Sequence, residues 1–412
     1  MANNEMFTVP NRYKTWSLAL IGIGVLSVIV GFFMYGSGDD VHHKTRFWAT
    51  LLHNSVYFLL ISNASMFFFC ATTLAWGGWQ MAFRRIPEAI SAAVPVIGVI
   101  TLAILLSIAF GGHHMTHIYH WTDTEAVAKD HILSGKSGFL NVKFFTIWTV
   151  LTIGFWSILG YKMRLLSRKL DNNPLATPEE AKKYIWNNTV WAAVFIVWFS
   201  LTAMSVTPWF WLMSIDAHWY STMYSWYSFA STFVAGMSLI ALYIVYLKNK
   251  GYMEWVNEEH LHDVGKFMFA FSVFWTYLWF SQYMLIWYAN IPEETVYFKS
   301  RVKGGTYSFI FFLTLIINFL APLLILMRRG AKRNYTVIVF MACLIIFGHW
   351  LDFYQMIFAS VLKEHVELNL FDFGVAAGFV GIIMQVTGNV LSKNALVAKN
   401  HPFVKESIIH HT

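Results

Sequence analysis

The sequence predicts an all-α polytopic membrane protein with about ten transmembrane helices. Three observations carry that reading. The 412-residue chain is 57% hydrophobic and only 12% charged. Its 19 Trp and 37 Phe are more than a soluble domain of this size carries, and they suit aromatic belts at two membrane faces. Apolar runs of roughly the 20 residues that cross a bilayer recur along the chain. The net charge of +7 comes from Lys and Arg in loops, so it points to orientation in a membrane and not to nucleic acid.

In order, the runs fall at 15–35, 47–70, 87–110, 141–161, 185–207, 220–247, 265–289, 306–327, 335–361 and 370–391. Arg12 and Lys14 lead into the first without a small-residue cleavage site, so span 1 is expected to be retained. Lys and Arg concentrate in the N-tail, the even-numbered loops and the C-tail. Lys162, Arg164, Arg168, Lys169, Lys182 and Lys183 mark loop 4, and RRGAKR at 328–333 marks loop 8. This bias predicts cytoplasmic N- and C-termini. Loop 4 ends in Thr177, Pro178, Glu179 and Glu180, the signature of a capped helix start, read as a short surface helix. Loop 3, 111–140, gathers His113, His114, His117, His120, Asp123 and His131 on the outer side. Spans 2 and 6 share aromatic-rich beginnings, FWATLLHN at 47 and HWYSTMYS at 218. That echo suits two similar four-helix bundles, spans 2–5 and 6–9, with spans 1 and 10 at the periphery. Cys70 and Cys343 lie in separate apolar runs and read as packing residues.

Ionisable and polar groups inside spans are costly, so each is a candidate for function. On a helical wheel the polar residues of span 7 form two stripes. One holds Ser272, Thr276, Tyr283, Trp287 and Asn290, the other Asp263, Lys266, Tyr277, Ser281 and Tyr288. Asp263 and Lys266 are either an interfacial ion pair or the mouth of a proton path. Span 9 places His349 and Asp352 at i, i+3, which suits a proton relay or a mutually satisfied pair that locks helices. On the outer side stand His53 and Asn54, His113 and His117, Asp216 and His218, and Glu293 and Glu294. Haem ligation within spans needs facing histidine pairs, which are missing, and there is no CxxCH or cysteine quartet. No metal is therefore expected. A quinone-handling subunit, a secondary transporter and a structural anchor with a proton path all fit these observations.

The segments MSIDAHWYSTMYSWY (213–227) and DVGKFMFAFSVFWTYLWFSQYMLIWYANIPEET (263–295) resemble the second of the two NrfD/polysulfide-reductase-like integral membrane subunits of alternative complex III. The two motifs are long and specific, and the ten-span plan covers essentially the whole chain. It implies two four-helix bundles plus extra helices, no metal cofactor, and a place in a bacterial inner-membrane complex that oxidises quinol. The implied partners are a multihaem cytochrome c, an iron–sulfur subunit, a second NrfD-like subunit and a terminal oxidase, with quinone or quinol as the one possible small ligand. It also implies a proton path. Asp216 and His218 match the element before span 6; Asp263 and Lys266 match the start of span 7, and Glu293 and Glu294 its end. Tyr277 and Ser281 would continue the path, and His349 with Asp352 would be its relay. A quinone site would use His53, Asn54, His113 and His117. The alternatives are a scaffold subunit that has lost its quinone site and a stand-alone transporter.

Overall fold

Apolar runs of this length satisfy their backbone in lipid by coiling, and this chain does so throughout. The computed structural model describes residues 6–302, 305–362 and 368–411; the side chains of 113–115, 172 and 306 lie outside the described set. The long helices are α1 (Asn11–Gly31), α2 (Val41–Leu74), α3 (Val94–Met115), α4 (Val142–Asn172) and α5 (Pro178–Leu201). They are followed by α6 (Met223–Asn249), α7 (Glu258–Ala289), α8 (Gly305–Leu315, continuing to Leu326), α9 (Tyr335–Val361) and α10 (Leu370–Leu391).

Helix starts follow from capping chemistry. Asp40, Asn141, Thr177, Asn257, Asn334 and Asn369 each accept a backbone N–H from the first turn of the helix they open. Thr177 and Pro178 thus begin α5 itself, and no separate surface helix precedes it. Likewise α4 runs on to Asn172, so Arg164 and Arg168 sit on a membrane helix and not in loop 4.

Among the described residues, nine helices are long and apolar enough to cross a membrane, and there is no strand. The protein is an all-α, multi-pass membrane protein. α7 is not among the nine. At 32 residues it is long enough, but its Trp, Tyr, Ser and Gln side chains lower its hydropathy. It packs between α6 and α8.

Two rings of four helices result. In the first, α2 and α4 each touch α3 and α5; in the second, α7 and α9 each touch α6 and α8. α2 joins them, packing on α6 and α9, and it is almost wholly buried. α10 lies on α2 outside both rings, and α1 lies along α10. Glycines permit that last approach. A Cβ on Gly378 would meet the Gly24 backbone at 2.8 Å, and one on Gly381 would meet Ser17 O at 2.8 Å. Both termini lie at one face, taken as the inner one after the Lys and Arg bias, and the helix ends there are tied by the C-terminal segment. Asn400 donates to Leu170 O of α4, while Ser407 contacts Trp79 O and the ring of His260 on α7. Cys70 is buried as expected, but Cys343 faces outward.

Candidate functional site

The second bundle encloses a polar centre to which all four helices contribute. Asp352 and His349 of α9 are 2% and 0% exposed. Tyr227 and Ser231, one turn apart on α6, face them. Tyr227 donates its hydroxyl to Asp352 Oδ1. Ser231 Oγ stands 3.1 Å from Asp352 Oδ2, and Trp275 Nε1 of α7 donates to the same oxygen at 3.0 Å. Three donors thus converge on one buried carboxylate. Ser231 Oγ is also 2.9 Å from His349 Nδ1. Its one proton goes to Asp352, so the imidazole fills the serine oxygen from Nδ1–H. The result is a directed chain, His349 to Ser231 to Asp352, and it leaves His349 Nε2 buried without a protein partner. Asn318 of α8 stands behind the ring, its amide nitrogen 3.4 Å from Nδ1. It is turned inward by widened helical turns over Ile316–Leu320.

On its outer side Asp352 borders a cavity of about 10 Å³, room for one water, lined by Tyr227, Gln282, Tyr297, Arg301 and Gln355 among others. Gln282 Nε2 and Arg301 Nε have no protein partner. Arg301 lies 3.5 Å over the Tyr297 ring and donates to the carbonyls of Tyr297 and Gln355 at 2.7 and 3.1 Å. Burial pushes the Tyr297 hydroxyl above its usual pKa; Arg301 pulls it back, and the carboxylates of Asp352 and Asp216 add to the rise. Tyr297 thus stays protonated between the buried carboxylate and the half-buried Asp216 at the outer face.

The other expected site residues are distributed differently. Asp263 and Lys266 pair at 2.8 Å at the inner end, with His410 of the C-terminal segment 2.8 Å from the second carboxylate oxygen. From Asp263 to Trp275 is roughly 18 Å along α7 at 1.5 Å per residue, and the buried stripe between them offers only Ser272 as a polar side chain. The expected lane through Tyr277 and Ser281 lies elsewhere: Tyr277 is 62% exposed, and Ser281 bonds back to its carbonyl. The inward line of α7 is Ser272, Trp275 and Gln282. A wheel of polar residues misplaces it because tyrosine and tryptophan are amphipathic and sit on either face. His218 pairs with Asp130 of loop 3 at 2.5 Å, away from the cavity. Glu293 and Glu294 occupy the first turn of a short helix, Pro292–Val302, where negative charge is favoured.

Of the four residues expected to form an outer quinone site, His53 and Asn54 share Trp350 and lie apart from His117. Because Asp40 starts α2 at Val41, His53 lies about three turns inside the helix. It is fully buried, with Nε2 2.9 Å from Trp350 O, and Trp350 Nε1 donates to Asn54 Oδ1 at 2.9 Å. His117 lies at the outer end, its N–H on Thr45 Oγ1, two turns from His53. The His113 side chain lies outside the described residues. No group of three or more His, Cys, Asp or Glu is placed to hold a metal ion among the described residues.

Sequence reasoning passed over Ser231, Trp275, Asn318, Gln282 and Arg301. Asn318 carries a usable signal, a lone Asn in the run FIFFLTLIINFLAPLL. It also passed over a charged cluster at the inner end of the first bundle. There Glu88, on the helix Arg85–Ile90 leading into α3, accepts from Arg84, Arg85 and Ser167, and Arg85 also pairs with Asp171. The chain matches no family model and no curated protein.

Proposed function

We propose that this protein is a cofactor-free integral membrane subunit that conducts protons through its second bundle, as part of a quinol-oxidising respiratory complex of the alternative complex III kind. The observation that carries the proton role is Asp352, a carboxylate buried inside a membrane bundle, fed by a histidine–serine chain and bordering a polar cavity. A proton arriving at His349 passes through Ser231 to Asp352. From there it reaches water in the cavity beside Tyr297 and Arg301, and then the outer face near Asp216. The inner half of the route has no comparable chain, so Asp263 and Lys266 act at most as a surface collector. Membership of the complex rests on the resemblance of 213–227 and 263–295. In that setting the partners carry the haems and iron–sulfur clusters, this chain lies in the bacterial inner membrane with cytoplasmic termini, and quinol oxidation happens elsewhere. The quinone reading gains nothing from the bonded, buried His53.

The test is Asp352→Asn in the intact complex, reading protons released per electron together with quinol oxidation. Proton release is expected to slow on the order of 10²-fold, with the haem subunits still co-purifying. An unchanged proton-to-electron ratio at full turnover would sink the relay.

A further inference from the structure

The charged cluster of the first bundle holds more positive charge than its own carboxylates balance. Arg84, Arg85, Arg164 and Arg168 meet there, and the carboxylates facing them are Glu88 and Asp171. Arg164, Ser167, Arg168 and Asp171 recur on one face of α4. Arg84 lies 4.4 Å over the Phe69 ring, and Arg164 donates to Ser91 O and Oγ at 3.2 and 3.1 Å. Arg84, Arg85 and Arg164 are 1%, 3% and 6% exposed.

His401 of the C-terminal segment, packed on Tyr184, does not add to the charge. Burial, then Arg84 and Arg85, push its pKa down to about 2. Guanidinium N–H groups nonetheless remain unused: Arg84 Nη2, Arg85 Nε and Arg168 Nε are buried with no protein partner. Four cations against two carboxylates, with donors to spare, is an arrangement that a bound anion completes.

The surroundings say which kind of anion. Arg168 is half-buried and forms the edge of the cluster. Beside it, α4 turns Ile158, Tyr161 and Leu165 outward, at 63%, 58% and 47% exposure, as a lipid-facing surface. Lys162 lies 5.2 Å over Trp191 on the neighbouring helix α5. A free anion would use the guanidiniums and leave that apolar strip idle. We propose that the inner end of α4 binds the phosphate of an anionic phospholipid at Arg164 and Arg168, with its acyl chains along Ile158 and Leu165.

The experiment is thermal unfolding of the full chain, in its complex or purified in a neutral detergent, with four additions: none, phosphatidylglycerol, phosphatidylcholine and inorganic phosphate. Phosphatidylglycerol is expected to raise Tm by several degrees, and the other two to leave it unchanged. Arg164→Gln with Arg168→Gln should abolish the rise, Arg168→Lys should keep most of it, and Lys250→Gln, remote from the cluster, should keep all of it. Should the double variant not fold, Arg168→Gln alone, at the half-buried edge, reads the same loss. An equal rise with phosphatidylcholine would overturn a headgroup site. An equal rise with phosphate would overturn the lipid assignment in favour of a free anion. A rise that survives in the variants would overturn the location.

Discussion

Gly348 is beside His349 because no larger residue fits there. A Cβ would meet Asn318 Oδ1 at 2.1 Å and Ile317 Cγ2 at 2.4 Å, both in the widened turns of α8. Gly348→Ala is expected to push α8 away from α9 and destabilise the second bundle by about 1–3 kcal/mol. A thermal melt in detergent measures it, and an unchanged Tm would show that α8 yields freely. At the outer surface, the hydrogen bond from His218, with the N–H groups of Leu133 and Ile132, holds the half-buried Asp130 carboxyl below its usual range. Because the folded pKa is depressed, its contribution is present above the unfolded value and is lost as pH falls through the folded one. Protection of the 124–136 amides, corrected for intrinsic exchange, should therefore fall between about pH 5 and 3. In Asp130→Asn that pH dependence should disappear, and its persistence would assign it to another group. Asp352 and His349 were legible in the sequence because charged groups are rare inside apolar runs. Their partners Ser231 and Trp275 were not, since a one-helix pattern says nothing about which face of another helix it meets.

At the scale of elements, the apolar runs located the spans, but their ends were set by caps lying outside those runs. Asp40 moved the start of α2 outward, and with it turned His53 from an outer-surface residue into a core one. The run at 185–207 gave no sign that α5 continues in widened turns over Thr202–Leu212 around Pro208. The α1–α10 contact was equally hidden, since glycines at 374, 378 and 381 look like ordinary small residues until a partner helix is placed on them. Replacing Gly378 with Leu should lift α1 from α10, because the side chain has only Gly24 backbone to occupy. Limited proteolysis between 37 and 44, the link from α1 to α2, should then quicken several-fold while cleavage at other loops holds steady. Equal cleavage in the parent and the variant would mean that α1 is seated by other contacts, such as Tyr13 on Met384 O and Ser17 on Gln385.

The molecule as a whole divides its labour between two similar rings. The first keeps its charges at the inner end, around Glu88, and the second keeps its buried carboxylate toward the outer end, at Asp352. The echo between residues 47 and 218 suited a two-bundle plan without being enough to establish it, and the helix contacts form two rings. The strap of residues 400–411 across both inner ends was not readable in advance, because its polar sequence matches that of any exposed tail. Its anchors, Leu170 O, Trp79 O and Asp263, belong to three distant parts of the chain. The pairing of α1 with α10 has a consequence in time. During synthesis a helix near residue 20 enters the bilayer long before one near residue 380 exists, and the two rings between them can close first. α1 must wait in lipid with its glycine face uncovered, with Tyr243 and Tyr246 of α6 as earlier partners for its Tyr13. The earliest of these helices to be made is thus the last to be seated.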